Sequence, residues 1–264
     1  MRIAVALAAL ICGLLAGAAP ARAQEPVVNV VTFNVCGNVC RHGEVTRTAQ
    51  NVARQVRDRH ASVAMLQELC YSQFLRVRAL LAPHGYSAVF APATTGGQCD
   101  DRDRRHGRGF GVAIVARGTL SGRVVRQLPS PYETRPEPRV ALGARVHLAG
   151  RSVLVVTTHT APRGPNLALQ LAAIQRWLVP IAAGRPVIFG GDLNSLPTSP
   201  DLAGFGAEFQ EADRRPEPLT TFIPAPRKID HLFASQRFLA PHGTSTVCGA
   251  YSDHCLYLAG FVTR

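Results

Sequence analysis

The run Val187-Ile188-Phe189-Gly190-Gly191-Asp192-Leu193-Asn194-Ser195-Leu196-Pro197 constrains the fold more than any other stretch of the chain. Two β-branched residues and a phenylalanine read as a buried strand, and the paired glycines allow another piece of backbone to approach its end. Asp192 and Asn194 lie two apart. If the strand continues through them, its period of two turns both side chains to one side and aims a carboxylate and a carboxamide at a single point. Pro197 and Pro200 stop a regular strand, which places the pair at a strand-to-loop edge, where α/β scaffolds carry their sites. On its own, Asp-x-Asn after a strand reads more readily as a turn or a helix cap. The other apparent strand ends shift that balance.

Those ends are polar throughout. Val27–Asn34 reads as a strand ending in Asn34, and Val63–Leu66 as one delivering Gln67 and Glu68. Ser152–His159 ends in Thr157-Thr158-His159 and pairs with Arg139–His147 around Ala149-Gly150. The strand Ile229–Ala234 begins next to Asp230, and a last strand, Leu256–Val262, follows Ser252-Asp253-His254. Tyr86–Phe90 is strand-like, and Phe110–Val115 and Val124–Leu128 read as successive antiparallel strands. Helical stripes run over 44–60 (Val45, Ala49, Val52, Ala53, Val56), 72–81 and 166–178 (Leu167, Leu171, Ile174, Leu178). The fold class is therefore α/β with mixed sheets, and the recurrence of polar strand ends suits two similar halves facing one another.

Asn34, Glu68, His159, Asp192, Asn194, Asp230, Asp253 and His254 together form an oxygen-rich set suited to Mg²⁺ or another hard cation, with imidazoles left for proton transfer. Any one of them alone is more simply a satisfied interior residue. At this point the chain resembles the endonuclease/exonuclease/phosphatase superfamily. The resemblance rests on Thr32-Phe33-Asn34, Leu66-Gln67-Glu68, Thr158-His159, Gly191-Asp192-Leu193-Asn194, Ile229-Asp230-His231 and Ser252-Asp253-His254, in family order.

The resemblance implies a four-layer α/β/β/α sandwich of two mixed, mainly antiparallel sheets, like that of deoxyribonuclease I. It implies Glu68 as principal ligand of Mg²⁺ (or of Mn²⁺ or Ca²⁺), with Asn34 and Asp253 assisting. It also implies His254 oriented by Asp230 and acting on the attacking water or the phosphoryl oxygen, Asp192 and Asn194 holding water and phosphate, and His159 as the acid for the leaving oxygen. A histidine at 159 matches the nuclease, cytolethal distending toxin and bacterial sphingomyelinase branches, whereas apurinic-site endonucleases carry a tyrosine there. One departure stands out. Deoxyribonuclease I orients this histidine with a glutamate, and here none occurs between Glu68 and Glu133. Either Asp100, Asp101 or Asp103 substitutes, or His159 is held otherwise. Arg139, in Glu137-Pro138-Arg139, reads equally as a phosphate contact or a structural arginine, and Arg108 is a candidate phosphate contact.

The expected activity is that of a secreted, metal-dependent phosphodiesterase, an endonuclease acting on DNA or RNA. The alternative is phospholipase C, sphingomyelinase-like or phosphoinositide phosphatase action on a phosphorylated headgroup. A formal charge of +12 with Lys228 as the sole lysine makes the basicity almost wholly arginine. Guanidinium forks match phosphate oxygens, which favours a polyanionic partner, although arginine usage also follows genome composition. Residues Arg102, Arg104, Arg105 and Arg108 form a loop cluster suited to a phosphate backbone. An aromatic-rich insertion of the kind used against membranes is missing, Trp177 falling in an expected helix. A non-catalytic subunit that has kept the fold is the remaining reading, and the complete set of acid, base and ligand residues argues against it.

Arg2, the apolar run Ile3–Ala19 and Ala21-Arg22-Ala23 read as a signal peptide over 1–23, leaving 24–264 as one domain, secreted and expected as a monomer. Seven cysteines then become six. An even number in an exported chain reads as disulfides, and Cys36–Cys40, Cys70–Cys99 and Cys248–Cys255 is one of about 15 connectivities.

Overall fold

The computed structural model describes residues 26–95, 97–99, 109–132, 137–249 and 251–264. The expected signal peptide, Asp100, Asp101, Asp103 and the Arg102–Arg108 cluster lie outside the described residues.

Among the described residues, twelve strands form two six-stranded sheets. The first contains β1 (Val28–Asn34), β2 (Val63–Cys70), β3 (Tyr86–Thr94), β4 (Phe110–Arg117), β11 (Leu239–Val247) and β12 (Leu256–Thr263), in the order β11-β12-β1-β2-β4-β3. The second contains β5 (Ser121–Leu128), β6 (Arg139–Leu148), β7 (Arg151–His159), β8 (Val187–Asp192), β9 (Phe209–Glu211) and β10 (Asp230–Ser235), in the order β5-β6-β7-β8-β10-β9. At the middle of each sheet is one parallel pair, β1 with β2 and β7 with β8, and every other pairing is antiparallel. Parallel neighbours need a crossover. Helix α1 (Thr46–Asp58) supplies it in the first sheet and α3 (Pro165–Ala182) in the second, while α2 (Tyr71–Leu81) lies beside α1 and α4 (Pro200–Ala203) is a single turn. The two sheets thus repeat one plan of hairpin, parallel pair, inner strand and edge strand. In the first sheet the hairpin β11–β12 comes from the far end of the chain.

Alternation along the strands builds the four layers. Val28, Val30, Val63, Met65 and Ile114 face Leu142, Val155, Ile188 and Leu232 between the sheets. Val31, Phe33, Ala64 and Leu66 point the other way, onto Ala49, Val52, Val56, Phe74 and Val77 of α1 and α2. Leu154, Val156 and Phe189 do the same against Leu171, Ile174 and Leu178 of α3. A polar bridge crosses the inner layer where Gln67 Nε2 donates to Thr32 Oγ1 (3.1 Å) and to Thr157 Oγ1 of the opposite sheet (2.9 Å). The chain is the α/β sandwich of two mixed sheets expected from the sequence.

Two local expectations are corrected. Strands β4 and β5 are successive but do not pair, because the chain crosses between sheets at 118–120 and each strand finds its partners in a different layer. Strand β11 was not foreseen. It is an edge strand, mostly half-exposed and interrupted at Pro241/Gly243, so it lacks the alternation that marks a buried strand. The cysteines pair as Cys36–Cys40, Cys70–Cys99 and Cys248–Cys255.

Candidate active site

The parallel pairs bring their carboxyl ends to the same edge of the sandwich, and the polar strand ends meet there. Asn34 closes β1 and His159 closes β7, while Asp192 ends β8 directly opposite His159. Asp230 opens β10 opposite Asp192, and His254 precedes β12. Gly190 and Gly191 make this closeness feasible. A Cβ on Gly190 would run into the His231 carbonyl oxygen, and one on Gly191, whose φ is +140°, into that of Thr158.

Asp192 is the hub. Its Oδ2 accepts from Asn34 Nδ2 at 3.0 Å and lies 3.4 Å from His159 Nε2 and 3.6 Å from His254 Nε2. Its Oδ1 accepts the backbone N–H of Asn194 at 3.0 Å. That last bond corrects the expectation that Asp192 and Asn194 point alike from one strand. The strand stops at Asp192, Asn194 has φ +49°, and its Nδ2 donates to the Thr160 carbonyl at 3.1 Å. Asn194 therefore shapes the turn that holds Asp192, as an Asx residue does. Burial and the charge of Asp230 push the Asp192 carboxyl up to about 7.

His254 is gripped at its other nitrogen, with Nδ1 2.8 Å from Asp230 Oδ2. Burial alone would push this imidazole down, but Asp230, then Asp192 and Asp253, outweigh it and hold it at about 9. The ring packs edge-on to Phe222, with centroids 4.9 Å apart. Ser252 Oγ accepts the His254 N–H and donates to the Asn34 carbonyl, so the turn preceding β12 is tied to the end of β1. Asp230 is itself fixed through its backbone, its N–H donating to Thr221 Oγ1 and its carbonyl accepting from buried Lys228 Nζ.

His159 has the opposite character. Arg139 Nη1 lies 2.8 Å from its Nδ1, and Arg139 Nη2 is anchored by Glu137 at 2.8 Å. A guanidinium can only donate, so Nδ1 accepts and the imidazole is neutral with its proton on Nε2. Burial first, then the charges of Arg139 and His254, hold its pKa well below the ordinary value. Among the described residues, His159 is thus oriented at Nδ1 by an arginine. The sequence carried that arginine in Glu137-Pro138-Arg139 as a phosphate candidate, and both of its forks are engaged within the protein.

Glu68 sits where β2 is interrupted between Leu66 and Leu69, at φ +54°. Left-handed backbone at a non-glycine residue costs roughly 1–2 kcal/mol and marks functional positions. The break turns the carboxylate toward the cleft, where Oε1 accepts from Asn34 Nδ2 at 3.0 Å and lies 3.9 Å from His159 Nδ1. Burial and the nearby Asp253 charge raise its pKa against the Asn34 hydrogen bond. Asp253 is half-buried, and its carboxylate approaches the Cys36–Cys40 bridge. A cleft of about 330 Å³ opens over Glu68, Arg139 and His159, walled by Asn38, Thr94 and Phe110.

Four carboxylates (Glu68, Asp192, Asp230, Asp253) face a single imidazolium at His254, since the Arg139 charge is matched by Glu137. This excess of hard oxygen donors fits a divalent cation. Ligand atoms of Asp192, Asp230 and His254 also lie within 4.8 Å of one another, but they are buried and already paired. Of these four only Glu68 lines the cleft, beside Glu137, which is engaged by Arg139, and this makes Glu68 the accessible point of attachment.

A profile of the Endonuclease/Exonuclease/phosphatase family matches residues 31–254. No curated protein sequence matches the chain significantly. Among solved structures, the chain is similar to an endonuclease/exonuclease/phosphatase from Bacteroides vulgatus (TM-score 0.71, 18% identity, covering 91% of this chain and 100% of that one). It is similar to the human Nocturnin catalytic domain with bound sulfate (0.73, 19%, 90% and 94%). A Bacteroides thetaiotaomicron mannosyl-6-phosphatase is also similar (0.65, 17%, 89% and 99%).

Proposed function

Because the chain belongs to the endonuclease/exonuclease/phosphatase family of phosphoester hydrolases, we propose that it is a secreted, Mg²⁺-dependent phosphodiesterase that cuts polynucleotide backbones. The observation that carries the reading is the convergence on Asp192 Oδ2 of Asn34, His159 and His254, three side chains from three strand ends of both sheets.

In this reading Glu68, with Asn34 and Asp253, would hold the cation, which would neutralise charge developing on phosphorus. Asp192, poised near neutral pH, orients the attacking water and takes its proton. His254, kept protonated by Asp230, donates to a phosphoryl oxygen. His159 presents its Nε2–H to the substrate as a neutral donor. The proton needed by the leaving oxygen then comes from His254, since an imidazole held neutral by Arg139 has none to give up readily. Asn194 positions Asp192 through the turn.

An arginine-rich chain of formal charge +12 favours a polyanion over a lone headgroup. Export is supported by the leader-like first 23 residues and by three disulfides. The deciding measurement is hydrolysis of plasmid DNA, RNA and sphingomyelin, each with Mg²⁺ and with EDTA. Metal-dependent loss of the supercoiled band is expected. Full activity in EDTA, or cleavage of sphingomyelin alone, would overturn the proposal.

A further inference from the structure

Helix α1 buries Ala49, Val52, Ala53 and Val56 and turns Arg47, Gln50, Arg54 and Arg57 to solvent. Spacings of three and seven residues place these four on one stripe, about 15 Å long from Arg47 to Arg57 at 1.5 Å per residue. The stripe lines a groove of about 410 Å³ together with Leu80 and Tyr251. Among the described residues no carboxylate lines the groove and none of its three arginines forms an ion pair with one; Arg54 donates to Asn51 Oδ1 at 3.1 Å, and Arg57 Nη1 lies 3.2 Å from His84 Nε2.

Tyr251 links this groove to the chemistry. It is 51% exposed, the Arg41 guanidinium sits 5.3 Å from its ring centroid, and the next three residues are Ser252, Asp253 and His254. Helix α1 also follows β1 and runs back along it, so its Arg47 end is the end nearer Asn34.

We propose that this groove is a second binding site of the enzyme, which takes the strand of a polynucleotide leaving the cleft, phosphates on Arg47, Arg54 and Arg57 and a base against Tyr251. A row of guanidinium groups that meet only neutral partners among the described residues, beside an exposed aromatic ring, matches what a single strand offers, repeated charges and π-faces. A single phosphorylated headgroup has nothing to place along the row. The inference rests on the phosphodiesterase reading for its link to catalysis, but the binding itself is measurable without turnover.

The test compares the parent with Arg47→Gln/Arg54→Gln/Arg57→Gln and, separately, Tyr251→Ala. Fluorescence anisotropy of a 12-nucleotide single strand in EDTA reads binding, and Mg²⁺-dependent hydrolysis of bis(p-nitrophenyl) phosphate and of a dinucleotide reads the cleft. Circular dichroism confirms the fold of each variant. The triple variant should bind the 12-mer at least tenfold more weakly, with a salt slope flattened by up to about 2, near 0.7 for each lost contact. Tyr251→Ala should weaken binding while leaving the slope unchanged, and both small substrates should be cleaved at parental rates. Unchanged 12-mer affinity and slope in the triple variant would overturn the groove. So would a loss confined to co-sedimentation with vesicles of anionic phospholipid, measured on the same proteins. Failure of the parent on every phosphodiester would instead refute the phosphodiesterase reading, with the binding isotherms still judging the groove.

Discussion

Arg139 donates to the Nδ1 of His159 across 2.8 Å and, after burial, is the influence that keeps this imidazole neutral while His254 carries charge. Replacing Arg139 with Met removes the donor and the second-largest of the influences that hold the His159 pKa down. The His159 titration, followed by NMR of its Cε1 proton, should move upward toward the ordinary value, held back by burial that remains. Turnover of a small phosphodiester should drop on the order of 10²-fold, as for loss of an oriented donor. An unmoved titration would show that burial alone keeps His159 neutral.

The Asp230–His254 pair sets the alkaline limit. Catalysis in the proposed scheme needs Asp192 ionised and His254 protonated, so kcat/KM at saturating Mg²⁺ should rise through about pH 7 and fall through about pH 9. The His254 pKa is raised above its unfolded value. Its contribution to stability is therefore complete below about pH 6.5 and is lost as pH passes 9. Asp230→Asn should pull the alkaline limb to lower pH and cut the plateau by 10² or more. A profile with both limbs unchanged in this variant would remove His254 from the protonated role.

A second buried network lies behind the site, and it should govern acid stability. Glu211 accepts from Tyr257 Oη at 2.9 Å and pairs with Lys228 Nζ at 3.2 Å and His231 Nδ1 at 3.2 Å. Burial would raise its pKa, but Lys228 and His231 overcome this and hold it at about 2. The pKa is depressed, so the contribution is present above the unfolded value near 4.5 and is lost as pH falls through 2. It amounts to on the order of 3 kcal/mol. Urea unfolding at pH 7, 5 and 3 should show this loss in the parent, and Glu211→Gln should be destabilised at pH 7 with little further change down to pH 3. Parallel losses in both proteins would locate acid sensitivity elsewhere.

The disulfides should separate into one that serves stability and one that serves activity. Closing about 30 residues, Cys70–Cys99 constrains the unfolded chain by about 3.5 kcal/mol, against about 2 for the five-residue loop of Cys36–Cys40. Yet the Cys36 N–H donates to Asn34 Oδ1 at 3.0 Å, and the bridge lies against Asp253. Cys36→Ser/Cys40→Ser should lower kcat more than Tm, and Cys70→Ser/Cys99→Ser the reverse. Equal effects of the two variants on kcat would contradict this.

Much of the fold was legible because the buried strands and amphipathic helices carry their periodicity plainly, from Val187–Phe189 to the Leu167–Leu178 stripe. The eight polar residues were legible because each follows or precedes such a signal. What the sequence withheld lies in geometry that periodicity does not encode. The break at Glu68 and the left-handed turn at Asn194 redirect side chains against the strand period. Pairing of Arg139 with His159 joins the first residue of β6 to the last of β7, a cross-strand relation that depends on hairpin register. Lys228 gave a faint signal as the lone lysine of an arginine-rich chain, two residues before Asp230. Its burial against Glu211 and the Tyr257 ring needed the fold to be seen.

The hairpin β11–β12 has a consequence for how the site is completed. Strand β12 lies between β11 and β1 in the first sheet, and His254 stands at its threshold. With the hairpin undocked, β1 has one edge unpaired and Asp230 lacks its imidazole partner. In the proposed scheme the hairpin is therefore a latch: loosening it from β1 disconnects the proton donor while the rest of the cluster stays assembled.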